Sequence, residues 1–260
     1  MILLIDVGNT HTVFGTTDDG KTFKKWRFST GKYETEDELF SHIIPLMEKE
    51  KISLKDIKNI IVCSVVPSLN HIIQRFAEKY FEKKPIWVEA EDGVIRWNVK
   101  APCEIGADRV ANVIGAYHEH GSSCLILDFG TAITIDLLIE GTYEGGVIMP
   151  GLLTMVHALF TGTAKLPLVD LKPPIETVGK DTESNIQIGV IKGSAHAVNG
   201  LIEDIKREYG KNIPVVVTGG QSKFIAKYVI HDVHDGDLTL KGMFWFMKMK
   251  GGRRACPESC

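Results

Sequence analysis

The sequence predicts an α/β fold of two similar lobes with a cleft between them, and three observations carry that expectation. Strand-like and helix-like segments alternate along the 260 residues. The order of three strands, a helix, a strand and a helix occurs twice. A loop of one pattern also stands at the equivalent place in each half, as Asp6-Val7-Gly8-Asn9-Thr10 and as Asp128-Phe129-Gly130-Thr131-Ala132. The length agrees, since one domain usually takes about 100–200 residues. The lobes are expected over 1–105 and 106–250, with an aperiodic, mobile tail over 251–260.

Each element has a local reason. Residues 2–6 form an apolar strand, 11–17 its hairpin partner, and 21–30 a third strand after Asp18-Asp19-Gly20. Leu39, Ile43, Leu46 and Met47 have helical spacing within 36–51, and Thr35 is a natural N-cap. Residues 57–63 read as a buried strand and 67–83 as a helix with Ile72, Ile73, Phe76 and Tyr80 on one face. A short strand at 86–88 closes the first half. The second half opens with a helix over 107–118, whose core face is Val110, Val113, Ile114 and Tyr117. Strands follow at 124–127, 133–139 and 143–148, then helices at 151–161 and 183–209. A strand at 213–217 and an amphipathic helix at 238–248 complete the order.

Composition removes several function classes. The 30 Lys and Arg nearly balance the 33 Asp and Glu, so the formal net charge is −3. That leaves no composition-level argument for nucleic acid or an anionic membrane as partner. The 44% hydrophobic and 24% charged shares are those of an ordinary globular protein. No apolar run approaches the ~18 residues of a membrane span. Residues 2–5 are too few for a secretory leader, whose apolar run needs ~7–15. Cys63, Cys103, Cys124, Cys256 and Cys260 are odd in number and form no Cys-x-x-Cys pair, as expected of reduced thiols in the cytoplasm. Cys256 and Cys260 alone supply too few metal ligands, and the histidines lack zinc-site spacing. The glycines are uneven: 5 of 25 lie in 1–105 and 20 in 106–260. The second part therefore needs tight turns or close backbone approach to a ligand.

One motif is a decoy. Gly15-Thr16-Thr17-Asp18-Asp19-Gly20-Lys21-Thr22 fits the phosphate-loop pattern G-x-x-x-x-G-K-T. That pattern works where a strand leads into a helix whose N-terminal amides hold phosphate. The flank Phe23-Lys24-Lys25-Trp26-Arg27-Phe28 has no helical apolar face, and Asp18 and Asp19 repel phosphate. A hairpin turn on Asp-Gly is expected instead.

The paired Asp-x-Gly loops are more informative. Each lies between two apolar strands, so its backbone amides and its Asn or Thr side chains can face phosphate oxygens. An aspartate at the strand end suits Mg²⁺, which prefers carboxylate plus phosphate oxygen. One copy alone reads equally well as an Asx turn in a hairpin. Two copies at equivalent places favour phosphate. Thr218-Gly219-Gly220-Gln221-Ser222 follows the strand Pro214-Val215-Val216-Val217, and its two glycines let backbone lie flat against a base or ribose. A plain strand–helix turn is the other reading of it.

Gly106-Ala107-Asp108-Arg109 opens the helix at 107–118. Asp108 is favoured there by the helix dipole, so capping accounts for it without function. Arg109 is a cation at the positive helix end, which capping does not explain. It is expected to pair with an anion, such as a ligand carboxylate. Asp108 is then placed to accept a hydroxyl proton beside a transferring phosphate.

The two Asp-x-Gly loops and the Gly-Gly turn resemble the phosphate-1, phosphate-2 and adenosine motifs of the actin-like ATPase and sugar-kinase superfamily. Five boxes together are more specific: DVGNT at residue 6, GADR at 106, DFGTA at 128, Gly145-Gly146-Val147-Ile148-Met149-Pro150-Gly151, and Gly179-Lys180-Asp181-Thr182. With them the chain resembles type III pantothenate kinase, in order, from about residue 1 to 250.

That resemblance implies a duplicated ribonuclease H-like (actin-like ATPase) fold with mixed five-stranded sheets and an interlobe ATP cleft. It implies ATP-dependent phosphorylation of the primary hydroxyl of pantothenate, the first step towards coenzyme A, by a cytoplasmic homodimer. It places ATP on Asp6, Val7, Gly8, Asn9, Thr10, His11, Thr12, Val13 and Thr131, with the nucleoside at Gly219 and Gly220. Read from the residues alone, His11 fits a solvated turn residue better than a nucleotide contact. Mg²⁺ would lie near Asp6, and K⁺ or NH₄⁺ on Asp128. Pantothenate would contact Gly106, Ala107, Asp108 and Arg109, with Asp108 as base and Thr182 supplied by the neighbouring subunit. Val99 departs from the aromatic residue many relatives carry nine positions before the box aspartate.

Two alternatives come from other classes. A different small-molecule kinase would keep both phosphate loops with another acceptor at residues 106–109. A non-catalytic actin-like regulator would need neither Asp108 nor an acceptor. A methyl-donor site at Leu125-Ile126-Leu127-Asp128-Phe129-Gly130 fails, because residues 133–139 continue as strand.

Overall fold

The computed structural model describes residues 1–91, 95–210 and 212–252. Its strands are β1 (Ile2–Val7), β2 (His11–Thr17), β3 (Lys24–Ser29), β4 (Asn59–Ser64), β5 (Ile86–Trp87), β6 (Arg96–Trp97), β7 (Cys124–Phe129), β8 (Ala132–Ile139), β9 (Thr142–Pro150), β10 (Val215–Thr218) and β11 (Val233–His234). Its α-helices are α1 (Glu36–Lys49), α2 (Asn70–Phe81), α3 (Ala107–His120), α4 (Leu152–Gly162), α5 (Thr182–Tyr209), α6 (Ser222–Ile225) and α7 (Leu238–Gly252). They fall into two compact units, Met1–Glu119 with the chain from Leu238, and His120–Asp237.

The first unit is built on the sheet β3-β2-β1-β4-β5. β1 pairs antiparallel with β2 and parallel with β4, so Asp6 stands between Val13 and Cys63. Leu3, Leu4, Ile5 and Val7 are all buried, which is the continuous apolar run of a strand covered on both faces. On one side Leu3, Ile5 and Val7 join Leu39, Ile43 and Met47 of α1 and Phe76 of α2 in one core. α7 packs along β1 and β4. It meets α3 through glycines: a Cβ on Gly242 would lie 1.8 Å from the Ala111 carbonyl oxygen, and one on Gly115 would lie 2.6 Å from that of Leu238. Part of the glycine excess therefore serves helix packing, not a ligand.

The second unit repeats the arrangement. Its strands run β11-β10-β7-β8-β9, with β7 antiparallel to β8 and parallel to β10. Asp128 accordingly stands between Thr134 and Thr218, as Asp6 stands between Val13 and Cys63. Leu125, Leu127, Ile133, Ile135 and Val217 pack against Ile191, Val198 and Ile202 of α5.

Several boundaries move for identifiable reasons. Asp19 Oδ1 accepts the amides of Lys21 (2.8 Å) and Thr22 (2.9 Å), so β3 starts three residues after the expected 21. The decoy phosphate loop is thus a hairpin turn. The strand expected from 57 starts at Asn59, behind a 3₁₀ turn capped by Ser53. The helix expected from 67 starts with a 3₁₀ turn at Pro67–Leu69 before α2. Asp128 is the penultimate residue of β7 and Ala132 the first of β8, which leaves only Gly130 and Thr131 as loop. Thr35 caps α1 as expected, with Glu38 completing the capping box. The two-residue strands β6 and β11 and the four-residue α6 are too short to show a period. The lobe expected over 106–250 differs from the second unit at both ends: α3, as far as Glu119, and α7, from Leu238, belong to the first unit, where they pack on each other. α7 continues through Gly252; the rest of the expected tail, with Cys256 and Cys260, lies outside the described residues.

Candidate active site

The first loop turns over on a backbone bond from Gly8 N to His11 O at 3.1 Å. It is then braced from outside the motif. Thr30 Oγ1 donates to Gly8 O at 2.7 Å, and Thr30 N donates to Thr10 O at 3.0 Å. Thr12 Oγ1 lies 3.0 Å from Thr30 Oγ1 and 2.8 Å from the hydroxyl of the buried Tyr33. Burial pushes the Tyr33 hydroxyl above its ordinary pKa, against a smaller lowering by Thr12, so it keeps its proton. Asn9, Thr10 and His11 are exposed, whereas Val7 and Thr12 are fully buried. Val7 and Thr12 therefore have only backbone to offer a nucleotide. Burial, then the Arg27 charge, lowers the pKa of His11 and favours the neutral ring. Sequence reasoning missed Thr30 and Tyr33, because side-chain bonds across some twenty residues leave no periodic trace.

The second loop, within the other unit, is closed mainly by backbone. Gly130 N donates to Ala132 O at 2.9 Å, Gly151 N to Thr131 O at 3.0 Å and Gln221 N to Phe129 O at 2.8 Å. Thr154 Oγ1 adds a bond to Thr131 O at 2.8 Å, and Leu153 N donates to Gln221 Oε1 at 3.2 Å. Backbone approach here excludes any side chain at two glycines. A Cβ on Gly151 would lie 2.3 Å from Thr131 O, and one on Gly219 would lie 2.5 Å from Phe129 N and 2.3 Å from the Asp128 Oδ1 side-chain oxygen. Gly219 also has φ +94, a left-handed conformation that glycine alone adopts cheaply. Asp128, Thr131 and the Gly219-Gly220 turn are thereby brought together, along with Gly151 and Gln221. The last two sat inside recognised boxes, yet their bracing role is visible only in the fold.

The box at residues 106–109 begins α3. Asp108 Oδ1 accepts the Arg109 amide at 2.7 Å, and a Cβ on Gly106 would lie 2.7 Å from that same oxygen. Glycine thus leaves room for the carboxylate to fold back over the chain. Asp108 is only half-buried by surface exposure, but its surroundings are dense. Burial pushes its carboxyl pKa up, more than the Arg109 amide and guanidinium pull it down. Thr182 is the exposed first residue of α5, behind the N-cap Asp181, whose carboxylate accepts the Ser184 amide at 2.8 Å.

The donors suit a metal that arrives with its substrate. Among the described residues, no group of three or more His, Cys, Asp and Glu gathers as for a protein-only metal site. Asp6 and Asp128 are instead single carboxylates beside amide-rich loops. One carboxylate plus substrate phosphate is how Mg²⁺ is commonly held. Burial pushes the Cys124 thiol up to about 12, so it is a core residue without thiolate chemistry. Among the described residues no helix is long and apolar enough to cross a membrane.

Known proteins share both the sequence and the fold of this chain. The family model for type III pantothenate kinase matches residues 2–204. The type III pantothenate kinase of Fervidobacterium nodosum is 50% identical over 251 residues, covering 96% of this chain and 98% of that protein. Among solved structures, a Campylobacter jejuni protein described as a Baf family transcriptional activator superposes with a TM-score of 0.61. It is 21% identical, with 97% of this chain and 100% of that one covered. A ROK family glucokinase from Streptomyces griseus, solved with glucose and AMPPNP, superposes with a TM-score of 0.53 at 11% identity, covering 93% and 97%. These likenesses place the fold in the two-lobed actin-like ATPase class. With half its residues shared with that relative along almost its whole length, the chain belongs to the type III pantothenate kinase family.

Proposed function

We propose that the chain transfers the γ-phosphoryl group of ATP to the primary hydroxyl of pantothenate, with Asp108 as the general base. Family membership makes it an ATP-dependent pantothenate kinase; the assignment of roles to residues is our reading. The observation that carries it is the Asp108 carboxyl, seated against Gly106 and the Arg109 amide, with its pKa raised by burial. A carboxylate with a raised pKa is a stronger proton acceptor, as a base must be.

In the proposed step the substrate oxygen bonds to the γ-phosphorus as the bond to the β–γ bridging oxygen breaks, and ADP leaves. The hydroxyl proton passes to Asp108. Because phosphoryl transfer has a loose transition state, positioning and charge stabilisation outweigh the base. The amides around Gly8 and Gly130, with Asn9, Thr10 and Thr131, orient the phosphates. Arg109 pairs with the pantothenate carboxylate, and the Gly219-Gly220 turn takes the nucleoside. Asp6 would hold Mg²⁺ and Asp128 the monovalent cation, K⁺ or NH₄⁺; bound there, the ions neutralise phosphate charge.

A homodimer completes the reading. Ile148 of β9 is 64% exposed and Phe160 of α4 is 45% exposed, and Leu153 and Leu159 of α4 are exposed as well. Such an apolar surface suits a second copy of the chain, which would bring its Thr182 to the acceptor. The deciding assay offers ATP with pantothenate, pantetheine and a panel of sugars, with and without potassium, at concentrations spanning a dimer–monomer transition. We expect pantothenate phosphorylation that needs potassium and falls on dilution. Phosphorylation of a sugar in preference to pantothenate would overturn the acceptor assignment.

A further inference from the structure

His234 lies on β11, a strand the sequence did not reveal, opposite Val217 of β10. Its side chain is exposed, yet its Nε2 is 2.9 Å from Ser222 Oγ, and Ser222 is buried. Ser222 Oγ in turn lies 2.6 Å from the Gly219 carbonyl oxygen, which also accepts the Ser222 amide at 3.2 Å. The proton count fixes every direction in this chain. A carbonyl only accepts, so the single hydroxyl hydrogen of Ser222 points to Gly219. Ser222 can then only accept from the imidazole, and His234 must carry its hydrogen on Nε2. The relay ends on the peptide whose left-handed glycine abuts Asp128.

We infer that His234 is a positioning residue for ATP, holding the Gly219-Gly220 turn in its nucleoside-binding shape through Ser222. This rests on the proposal that the turn takes the nucleoside. His234 is no core residue, because it is exposed, and the arrangement gives it no role in the acid–base step. It acts by keeping the Gly219 peptide from rotating, so its loss should weaken nucleotide binding and leave the chemistry alone.

His234→Phe keeps a ring and removes the donor. One neutral hydrogen bond corresponds to about a three- to tenfold effect, so we expect the KM for ATP to rise by about that factor. The kcat and the KM for pantothenate should stay within about twofold. His234→Gln, whose amide reaches as far and donates, should restore the KM. Ser222→Ala should mimic His234→Phe, and the double variant should be no worse than the poorer single, since both cut one relay. A general loss of structure would instead lower kcat and melting temperature in every variant, Gln included, and would overturn the inference. Photolabelling of the wild type with 8-azido-ATP separates the inference from its premise. Labelling at residues 218–222 with an unchanged KM in His234→Phe defeats the relay alone. Labelling elsewhere defeats the nucleoside assignment and the relay with it.

Discussion

The two halves of the molecule continue one strand corner in different ways. Asp6 and Asp128 are each the penultimate residue of a central strand, flanked by an antiparallel and a parallel neighbour. Beyond them the parallel neighbours diverge. In the first unit β4 ends in Ser64 and the chain continues with Val65, whose amide donates to Val7 O at 3.1 Å. A Cβ on Gly106 would lie 3.5 Å from Val65 Cγ1, so this corner adjoins the box at residues 106–109. In the second unit β10 ends in Thr218 and the chain continues through Gly219-Gly220 to Gln221, whose amide donates to Phe129 O at 2.8 Å. The same closing bond therefore borders the box at residues 106–109 in one unit and the Gly219-Gly220 turn in the other. On the roles proposed above, a repeated frame supplies both phosphate loops, and divergence at one corner separates the two substrates.

The sharpest test of that division is Asp108→Asn. If the first corner serves chemistry, kcat should fall by ~10²–10⁴-fold, the usual loss with a general base, while the KM for ATP barely moves. A near-wild-type kcat would remove Asp108 from the base role and leave the corner without a chemical function.

How far the division could be read in advance depends on the range of the interactions. Thr35 and Asp181 were legible as caps or box residues because a cap acts within three positions of itself. The paired aspartates were legible because each follows an apolar run. The braces were not. Thr30 and Tyr33 act on Gly8 and Thr12 across the sheet, and Gly151 and Gln221 reach the second loop from 20 and more residues away. The glycine excess was visible as a count, but its causes differ. Gly219 and Gly151 admit backbone to the site, whereas Gly115 and Gly242 admit one helix to another.

A second test compares glycines at the two loops. Gly219→Ala meets both a positive φ and an obstructed Cβ, so we expect about 2–4 kcal/mol of lost stability in urea unfolding. Gly8→Ala would bring its Cβ to 3.1 Å of His11 O, a tight contact at ordinary φ, and should cost under about 1.5 kcal/mol. Equal costs would mean that the loops are built alike, against the comparison. Next in size is Arg109→Ala. Removing a charged hydrogen bond to a carboxylate should raise the KM for pantothenate about tenfold or more and leave that for pantetheine, which has no carboxylate, little changed. Equal losses would show that Arg109 meets no substrate anion.

The smallest expected effect concerns His11, which follows the first loop and has no counterpart at Ala132 of the second. Its pKa is lowered by burial and by Arg27, so the folded protein disfavours the charged ring. The unfolded chain binds this proton more readily, so the site favours folding above the ordinary histidine value and loses that contribution as pH falls through the lowered one. If the first loop holds ATP as proposed, the same shift favours a neutral His11 beside the phosphates. His11→Gln should therefore leave the KM for ATP within about twofold at about pH 8, where histidine is ordinarily neutral. The wild type should gain affinity over the variant only on acidification below about pH 6.5, when the ring takes up its charge beside phosphate. A wild-type advantage already present at pH 8, or one that decays from pH 7 upward, would show a charged His11 on the nucleotide. The first loop would then hold phosphate with a cation, and the second loop with backbone amides and a threonine.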